Sequence, residues 1–322
     1  MTWLERLGLA THAHAVLSRI RKHRSLIGYL FSLLLLVCLG RYLYVHWQQL
    51  AAYEFTFDPV YLALSLALIV PTFFFPAFFW WRIVKDVLRA EMGWRISARL
   101  WYTSQLSRYL PGSVWNYFSR IYLFAGQGVP PRQTALGLVL ETVLSLMAQV
   151  LVFLLSLPFW LAQAAPFYWV LLVLPVGLLL LHPAVLRRMM GWVARLQGKT
   201  DLPPPDLQPR WLLAVLAGYV VGAIVGGSAF FFFVRALYPV PFYLWPVLVG
   251  MANLAHTLGF LALLAPSGLG VREATLALML SWLLSGPVGA VAALASRLWL
   301  LTAELIGLTL FLPVSYTHLT LP

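Results

Sequence analysis

The sequence predicts an all-α polytopic membrane protein, with about six full transmembrane helices and two re-entrant or broken helical hairpins. Hydrophobic residues make up 61% of the chain, charged residues make up only 10%, and the mean hydropathy is +0.84. The apolar residues form several long runs, most of them near the roughly 20 residues that a helix needs to cross a bilayer. Basic residues cluster between these runs, as they do in cytoplasmic loops. A composition this apolar leaves no soluble domain of useful size.

Six apolar runs are predicted to cross the membrane. In chain order they are residues 26–45, 60–81, 134–157, 168–181, 211–237 and 287–312. The second run contains Pro71 and Pro76, and because proline lacks an amide hydrogen, a kink is expected there. In the fifth run Gly218, Gly222 and Gly226 recur every four residues, which predicts a close-packing face for a neighbouring helix.

Two further regions combine helical segments with a proline-glycine break. Residues 97–125 surround Pro111 and Gly112, and residues 244–284 surround a second break at 266–270. Backbone that leaves the helix at membrane depth persists only where it is buried in protein or lines a wet cavity. Opposed broken helices are typical of inverted-repeat transporters, so an inverted repeat is one interpretation. Residues 244–264 alone are long enough to cross, which leaves a simple span as the alternative.

The distribution of basic residues predicts the orientation. The net charge is +12, with five Lys/Arg before the first run, eight between 82 and 132, and five between 187 and 210. This pattern predicts a cytoplasmic N terminus in the cell (inner) membrane, provided that 97–125 enters and leaves on the cytoplasmic side. Nucleic acid is not an expected partner, because the basic residues are not gathered on one soluble surface.

The chain is predicted to hold one domain. Residues 1–24 form a basic cytoplasmic segment, and residues 25–312 form a single transmembrane domain. The tail, 313–322, is predicted to be non-native, because it lacks the basic residues expected after a span that ends in the cytoplasm.

Arginines beside the two breaks are candidates for binding a lipid phosphate. A helix N-terminus presents unpaired N–H groups to an anion, and an arginine can grip two phosphate oxygens at once. The candidates on these grounds are Arg108, Gly112, Trp115, Asn116, Arg120, Gly270 and Arg272. The alternative is that each break only punctuates a loop, and that Trp115 is an interfacial anchor.

Four polar residues fall inside predicted spans: Glu141, Gln149, Arg297 and Glu304. An ionisable group at the centre of a spanning helix costs roughly 2.5–3.5 kcal/mol, so each needs a partner or water. The pairing first expected is Glu141 with Arg297. Such a pair either fixes helix packing or forms a proton-coupling or head-group site in a central cavity.

Neither a metal nor a cofactor is expected. His256 and Asn253 lie on an apolar helix with no ligand-type residue four positions away, so packed, hydrogen-bonded roles are expected. The Gly-Lys-Thr at 198–200 lacks the first glycine of a phosphate loop and the preceding strand, which argues against a nucleotide site.

Three motifs resemble a known family. They are Arg-Tyr-Leu-Pro-Gly-Ser-Val-Trp at 108–115, Gly-Val-Pro at 128–130 followed by Leu-Glu-Thr at 140–142, and Ala-Pro-Ser-Gly-Leu-Gly-Val-Arg-Glu at 265–273. Over roughly residues 20–312 the chain resembles the flippase-like, lysylphosphatidylglycerol-synthase transmembrane family. The functional residues that this resemblance implies are Arg108, Pro111, Gly112, Asn116, Arg120, Glu141, Pro266, Gly268, Gly270, Arg272 and Glu273.

The resemblance implies a bacterial or archaeal membrane domain that moves lipids between leaflets. Larger members add a soluble synthase or glycosyltransferase domain, which this chain lacks, so lipid aminoacylation is not expected of it. The first hypothesis is a lipid flippase that does not hydrolyse ATP, with a phospholipid or polyprenyl-phosphate lipid as partner. The alternatives are a membrane-embedded lipid-modifying enzyme, or a non-catalytic membrane subunit for a separate glycosyltransferase or synthase.

Overall fold

A computed structural model describes residues 33–35, 37–51, 57–109, 115–160, 188, 208–262 and 268–311. All regular structure in these residues is helical, which confirms the predicted all-α class. Five described helical stretches are long and apolar enough to cross a membrane: Pro59–Val87, Pro131–Phe159, Pro209–Leu237, Phe242–Leu261 and Gly286–Gly307. The predicted run at 168–181 and the candidates Pro111, Gly112 and Pro266 lie outside the described residues.

The helices have the following bounds in chain order. They are α1 (Leu33–Val45), α2 (Trp47–Ala51), α3 (Pro59–Thr72), α4 (Phe74–Arg82), α5 (Trp94–Leu106), α6 (Trp115–Ala125), α7 (Pro131–Ser156), α8 (Pro209–Leu237), α9 (Trp245–Leu261), α10 (Val271–Leu280) and α11 (Gly286–Phe311). A π-helical turn, Ile83–Val87, extends α4. A 3-10 turn, Ser107–Tyr109, follows α5.

The second predicted run is interrupted at Phe73, between its two prolines. Pro71 is the last residue but one of α3, and Pro76 lies in the first turn of α4, where it has no N–H to donate to the preceding turn. The hydroxyl of Tyr102, on α5, donates to the carbonyl of Phe73 at 3.0 Å. The interruption falls where the sequence predicts a kink, and it gives α5 a backbone acceptor to dock on.

The glycine face of α8 packs against α3 and α4. A Cβ atom added at Gly218 would lie 1.9 Å from the ring of Phe79, and one at Gly222 would lie 3.5 Å from the ring of Phe75. The same atom at Gly226 would lie 3.8 Å from Thr72. The predicted close-packing face is therefore confirmed, and its partner is the helix that carries the proline break.

A neighbouring glycine, Gly227, permits a second close approach, between α8 and α9. A Cβ atom there would lie 2.9 Å from the Cα atom of Val249, which is backbone and cannot rotate away. We expect Gly227→Ala to lower the free energy of unfolding by about 1–3 kcal/mol, the usual cost of overpacking. Gly226→Ala is the matched control: its added atom meets only ordinary contacts, so stability should be unchanged or slightly raised. Thermal unfolding in detergent measures both, and equal effects would contradict this packing.

The two broken regions differ in length. Helices α5 and α6, with 13 and 11 residues, are both too short to cross a bilayer. The stretch Phe242–Leu261 has 20 residues and reaches crossing length, whereas α10 has only 10. The second region therefore joins one helix of crossing length to one short helix. The inverted repeat stays a prediction.

Buried apolar side chains form two clusters. One is built from α3 and from α7 to α11, and the other from α4 to α8. Helices α7 and α8 contribute to both clusters and so connect the two halves of the packing. The turn after α5 lies near the first of these clusters, because α5 also packs against α11. That contact brings the polar residues of the two halves together.

Candidate functional site

A buried ion pair joins α6 to α7. The Nη1 of Arg120 lies 2.5 Å from Oε2 of Glu141, and only 2% of Arg120 and 9% of Glu141 are exposed. The Nε of Arg120 donates to the hydroxyl of Ser104 at 3.1 Å, and the indole N–H of Trp101 donates to Oε1 of Glu141, also at 3.1 Å. Both carboxylate oxygens are therefore satisfied within the protein.

Two indole rings contact the guanidinium of this pair. Its carbon lies 4.7 Å from the ring centre of Trp80 and 5.2 Å from that of Trp101, distances at which cation–π attraction is significant. These contacts tie α4, α5, α6 and α7 together around one charge. The expected pairing of Glu141 with Arg297 is wrong. Helix α6 packs directly on α7 and turns Arg120 inward, which supplies the partner that Glu141 needs.

A second ion pair links the first broken segment to α11. The Nη2 of Arg108, in the turn after α5, lies 2.8 Å from Oε2 of Glu304. The side chain of Arg108 is 32% exposed, whereas that of Glu304 is 9% exposed. The pair lines a small cleft with a cavity volume of about 40 Å³, whose lining residues are Phe73, Trp101, Tyr102, Gln105, Leu106, Arg108, Glu304 and Gly307.

Two more arginines lie near this ion pair. Arg272, in the first turn of α10, lies close enough to Arg297 and Glu304 for their charges to act on it. His256, on α9, lies close enough to Arg108, Arg272 and Arg297 for their charges to act on it. Arg297 and Glu304 are two turns apart on α11, as the sequence predicts. Three arginines therefore lie in one region, and they come from the first broken segment, the second broken segment and α11. We call them the arginine cluster (Arg108, Arg272 and Arg297).

Glu273 caps the start of α10. The backbone N–H of Gly270 donates to its Oε2 at 2.8 Å, and Glu273 is only 1% exposed. The carboxylate therefore occupies the position in which a phosphate was expected to meet this helix end. The spacing of a glutamate three residues after the cap is the signal for this role, and it is present in the sequence.

The glycines of the second break allow a close backbone approach. Gly268 and Gly270 have φ of +67° and +83°, a conformation that favours glycine. A Cβ atom at Gly268 would lie 2.6 Å from the carbonyl oxygen of Gly259 on α9. A Cβ atom at Gly259 would in turn lie 3.1 Å from the Cβ of Arg272. The glycines therefore position Arg272 by letting its segment lie directly against α9.

Comparison with protein-family models decides the family. The model of the lysylphosphatidylglycerol synthase TM region matches residues 25–306. The chain belongs to this family. Comparisons with curated proteins and with solved structures found no match. The matched residues include the arginine cluster and the ion pairs Arg120–Glu141 and Arg108–Glu304. With five described stretches long enough to cross a membrane, this member of the lysylphosphatidylglycerol synthase TM-region family is a multi-pass membrane protein.

The remaining candidates are spread around these ion pairs. Trp115, at the start of α6, is 47% exposed, and the Oδ1 of the adjacent Asn116 has no hydrogen-bond partner among the described residues. Gln149 donates to Ser145 and accepts from Thr257 at 3.5 Å, which connects α7 to α9. The described part of this family member contains no group of three or more His, Cys, Asp or Glu that could hold a metal ion.

Asn253 has the packed role that the sequence predicts. Its Nδ2 donates to the carbonyls of Ala223 at 3.1 Å and Val249 at 2.8 Å, which joins α9 to α8. The sequence assigns the same role to His256 and gives no sign of its position beside the arginine cluster. That position depends on the packing of α10 against α9, which residue spacing along α9 alone does not reveal.

Proposed function

We propose that this protein binds the phosphate of an anionic membrane lipid at Arg108, Arg272 and Arg297 and carries the head group between leaflets. The observation that supports this function most is the arginine cluster itself. Three cations from three separate segments gather among apolar helices, with Glu304 as a partner from α11. Ionisable groups placed this way in membrane proteins are costly and mark the paths of charged substrates.

The cleft beside Arg108 suits a head group better than a whole lipid. Its walls combine aromatic rings with the charged pair, and its cavity volume of about 40 Å³ leaves no room for acyl chains. A phosphate there would meet guanidinium groups that can each hold two oxygens. The acyl chains would stay in the surrounding lipid, since burying them offers no gain over hydrocarbon.

The ligand class is a lipid with a phosphate head group, either a phospholipid or a polyprenyl phosphate. Both present the same oxygens to the arginine cluster, and they differ in the apolar part that remains in the bilayer. The orientation that goes with this function places the N terminus in the cytoplasm of the cell (inner) membrane, supported by the basic residues between the spans. Labelling of a cysteine introduced at Glu91 from outside intact cells would overturn that orientation.

Reconstitution into liposomes tests the proposed function. Protein in vesicles that contain head-group-labelled phosphatidylglycerol or a polyprenyl phosphate should speed movement of the label between leaflets. Arg108→Ala and Arg272→Ala should abolish most of the increase, because each removes a guanidinium from the cluster. Chemical conversion of the lipid without movement would instead indicate an enzyme. Stable capture of a soluble glycosyltransferase or synthase, with neither movement nor conversion, would indicate a membrane subunit.

A further inference from the structure

The arginine that is exposed to the cleft already holds an anion of the protein's own. Arg108 contacts the carboxylate of Glu304 at 2.8 Å, and this carboxylate comes from α11, far away in the sequence. A carboxylate and a phosphate offer an arginine the same pair of acceptor oxygens. Glu304 therefore occupies the position that the phosphate of a bound lipid would take on Arg108.

Glu304 is the carboxylate of this region that contacts Arg108. Glu273, the other acidic neighbour of Arg272, is held at the start of α10 by the N–H of Gly270. Glu141 is held by Arg120 and Trp101 on the other side of α5. Glu304 also lies close enough to Arg272 for their opposite charges to attract.

We propose that Glu304 is a specificity-determining residue: it pairs with Arg108 while the site is empty, and a lipid phosphate must displace it to bind. This inference rests on the proposed function. The exchange keeps Arg108 in contact with an anion in both states, first the carboxylate of Glu304 and then the phosphate. It also selects ligands, because a lipid without a phosphate cannot compete with the carboxylate.

Lipid binding to the full chain in detergent tests this competition. The probes are short-chain phosphatidylglycerol and, as a lipid without phosphate, diacylglycerol, with complexes counted by native mass spectrometry. Glu304→Gln removes the competing charge and should bind phosphatidylglycerol about tenfold more tightly than the wild type, the effect of one modest charge-assisted hydrogen bond. Binding of diacylglycerol should not change.

The matched control is Asp86→Asn. It makes the same chemical change in another ion pair, in which Oδ2 of Asp86 lies 2.6 Å from Nε of Arg82. Asp86 lies in the π-helical turn Ile83–Val87 and does not line the cleft. This variant should bind phosphatidylglycerol as the wild type does. If Asp86→Asn tightens binding as much as Glu304→Gln, the effect is one of net charge, and the inference is overturned.

Two further results separate this inference from the proposed function. If Glu304→Gln binds phosphatidylglycerol equally or more weakly, while the wild type still prefers it to diacylglycerol, then the proposed function stands and the competition is wrong. If the wild type shows no such preference, both fail. Should Glu304→Gln prove unstable, its melting temperature is measured with and without phosphatidylglycerol. A larger rise than in the wild type supports the exchange, and an equal or smaller rise overturns it.

Discussion

Replacing Glu141 with alanine is expected to lower the free energy of unfolding by about 3–5 kcal/mol, the usual cost of breaking a buried ion pair on one side. The guanidinium of Arg120 would remain, 2% exposed, between the indole rings of Trp80 and Trp101 with its charge uncompensated. Trp101 would also lose the acceptor for its indole N–H. Unfolding by heat or denaturant in detergent measures the change.

The double variant Arg120→Met with Glu141→Leu is the control for this result. Replacing both partners with apolar side chains of similar length removes the charge as well as the pair, so the protein should be more stable than Glu141→Ala. If the double variant is as unstable as the sum of its single variants, the ion pair is not the reason for the loss. A cost below about 1 kcal/mol for Glu141→Ala would place this pair among exposed ones and contradict its burial.

The second large effect is expected on lipid binding, when two members of the arginine cluster are removed together. Arg272→Gln and Arg297→Gln should each weaken binding of phosphatidylglycerol by about tenfold, since each removes charge-assisted hydrogen bonds to the phosphate. Because both side chains would hold one ligand, the effect of the double variant should differ from the sum of the two single effects. Native mass spectrometry with short-chain phosphatidylglycerol gives all three affinities.

An exposed arginine on the first broken segment provides the comparison. Arg99 lies on α5, close in sequence to Arg108 in the turn that follows this helix. Unlike Arg108, Arg99 does not line the cleft, and it is exposed. Arg99→Gln should leave the affinity for phosphatidylglycerol nearly unchanged. If Arg99→Gln weakens binding as strongly as Arg272→Gln, the lipid responds to the general positive charge of the protein, and the arginine cluster has no special role.

The sequence predicts the described spans Pro59–Val87, Pro131–Phe159, Pro209–Leu237 and Gly286–Gly307, and the packing face of α8, because these depend on local chemistry. The length of an apolar run, the missing N–H of Pro76 and the small size of Gly218 each act through nearest neighbours. The same holds for Arg297 and Glu304, whose spacing of seven residues places them on one helix face. These predictions need no knowledge of which helices meet.

The partners of the charged residues could not be predicted in the same way. Glu141 could meet Arg120 or Arg297, and the choice depends on which side of α6 faces α7. The pairing of Arg108 with Glu304 depends on the contact between α5 and α11, which are almost 200 residues apart. Glu273 is different. The resemblance implies a functional residue there, whereas its carboxylate caps the start of α10, a role for which the spacing in the sequence is a signal.

Light-activated cross-linking tests whether a lipid phosphate binds at the arginine cluster. The probe is a phosphatidylglycerol that carries its reactive group on the head group. We expect the modified peptides to contain the end of α5, the start of α10 and the part of α11 between Arg297 and Glu304. Unlabelled phosphatidylglycerol should suppress these products, and diacylglycerol should not. Modification confined to the exposed loops, or unaffected by competing phosphatidylglycerol, would contradict a phosphate site at Arg108, Arg272 and Arg297.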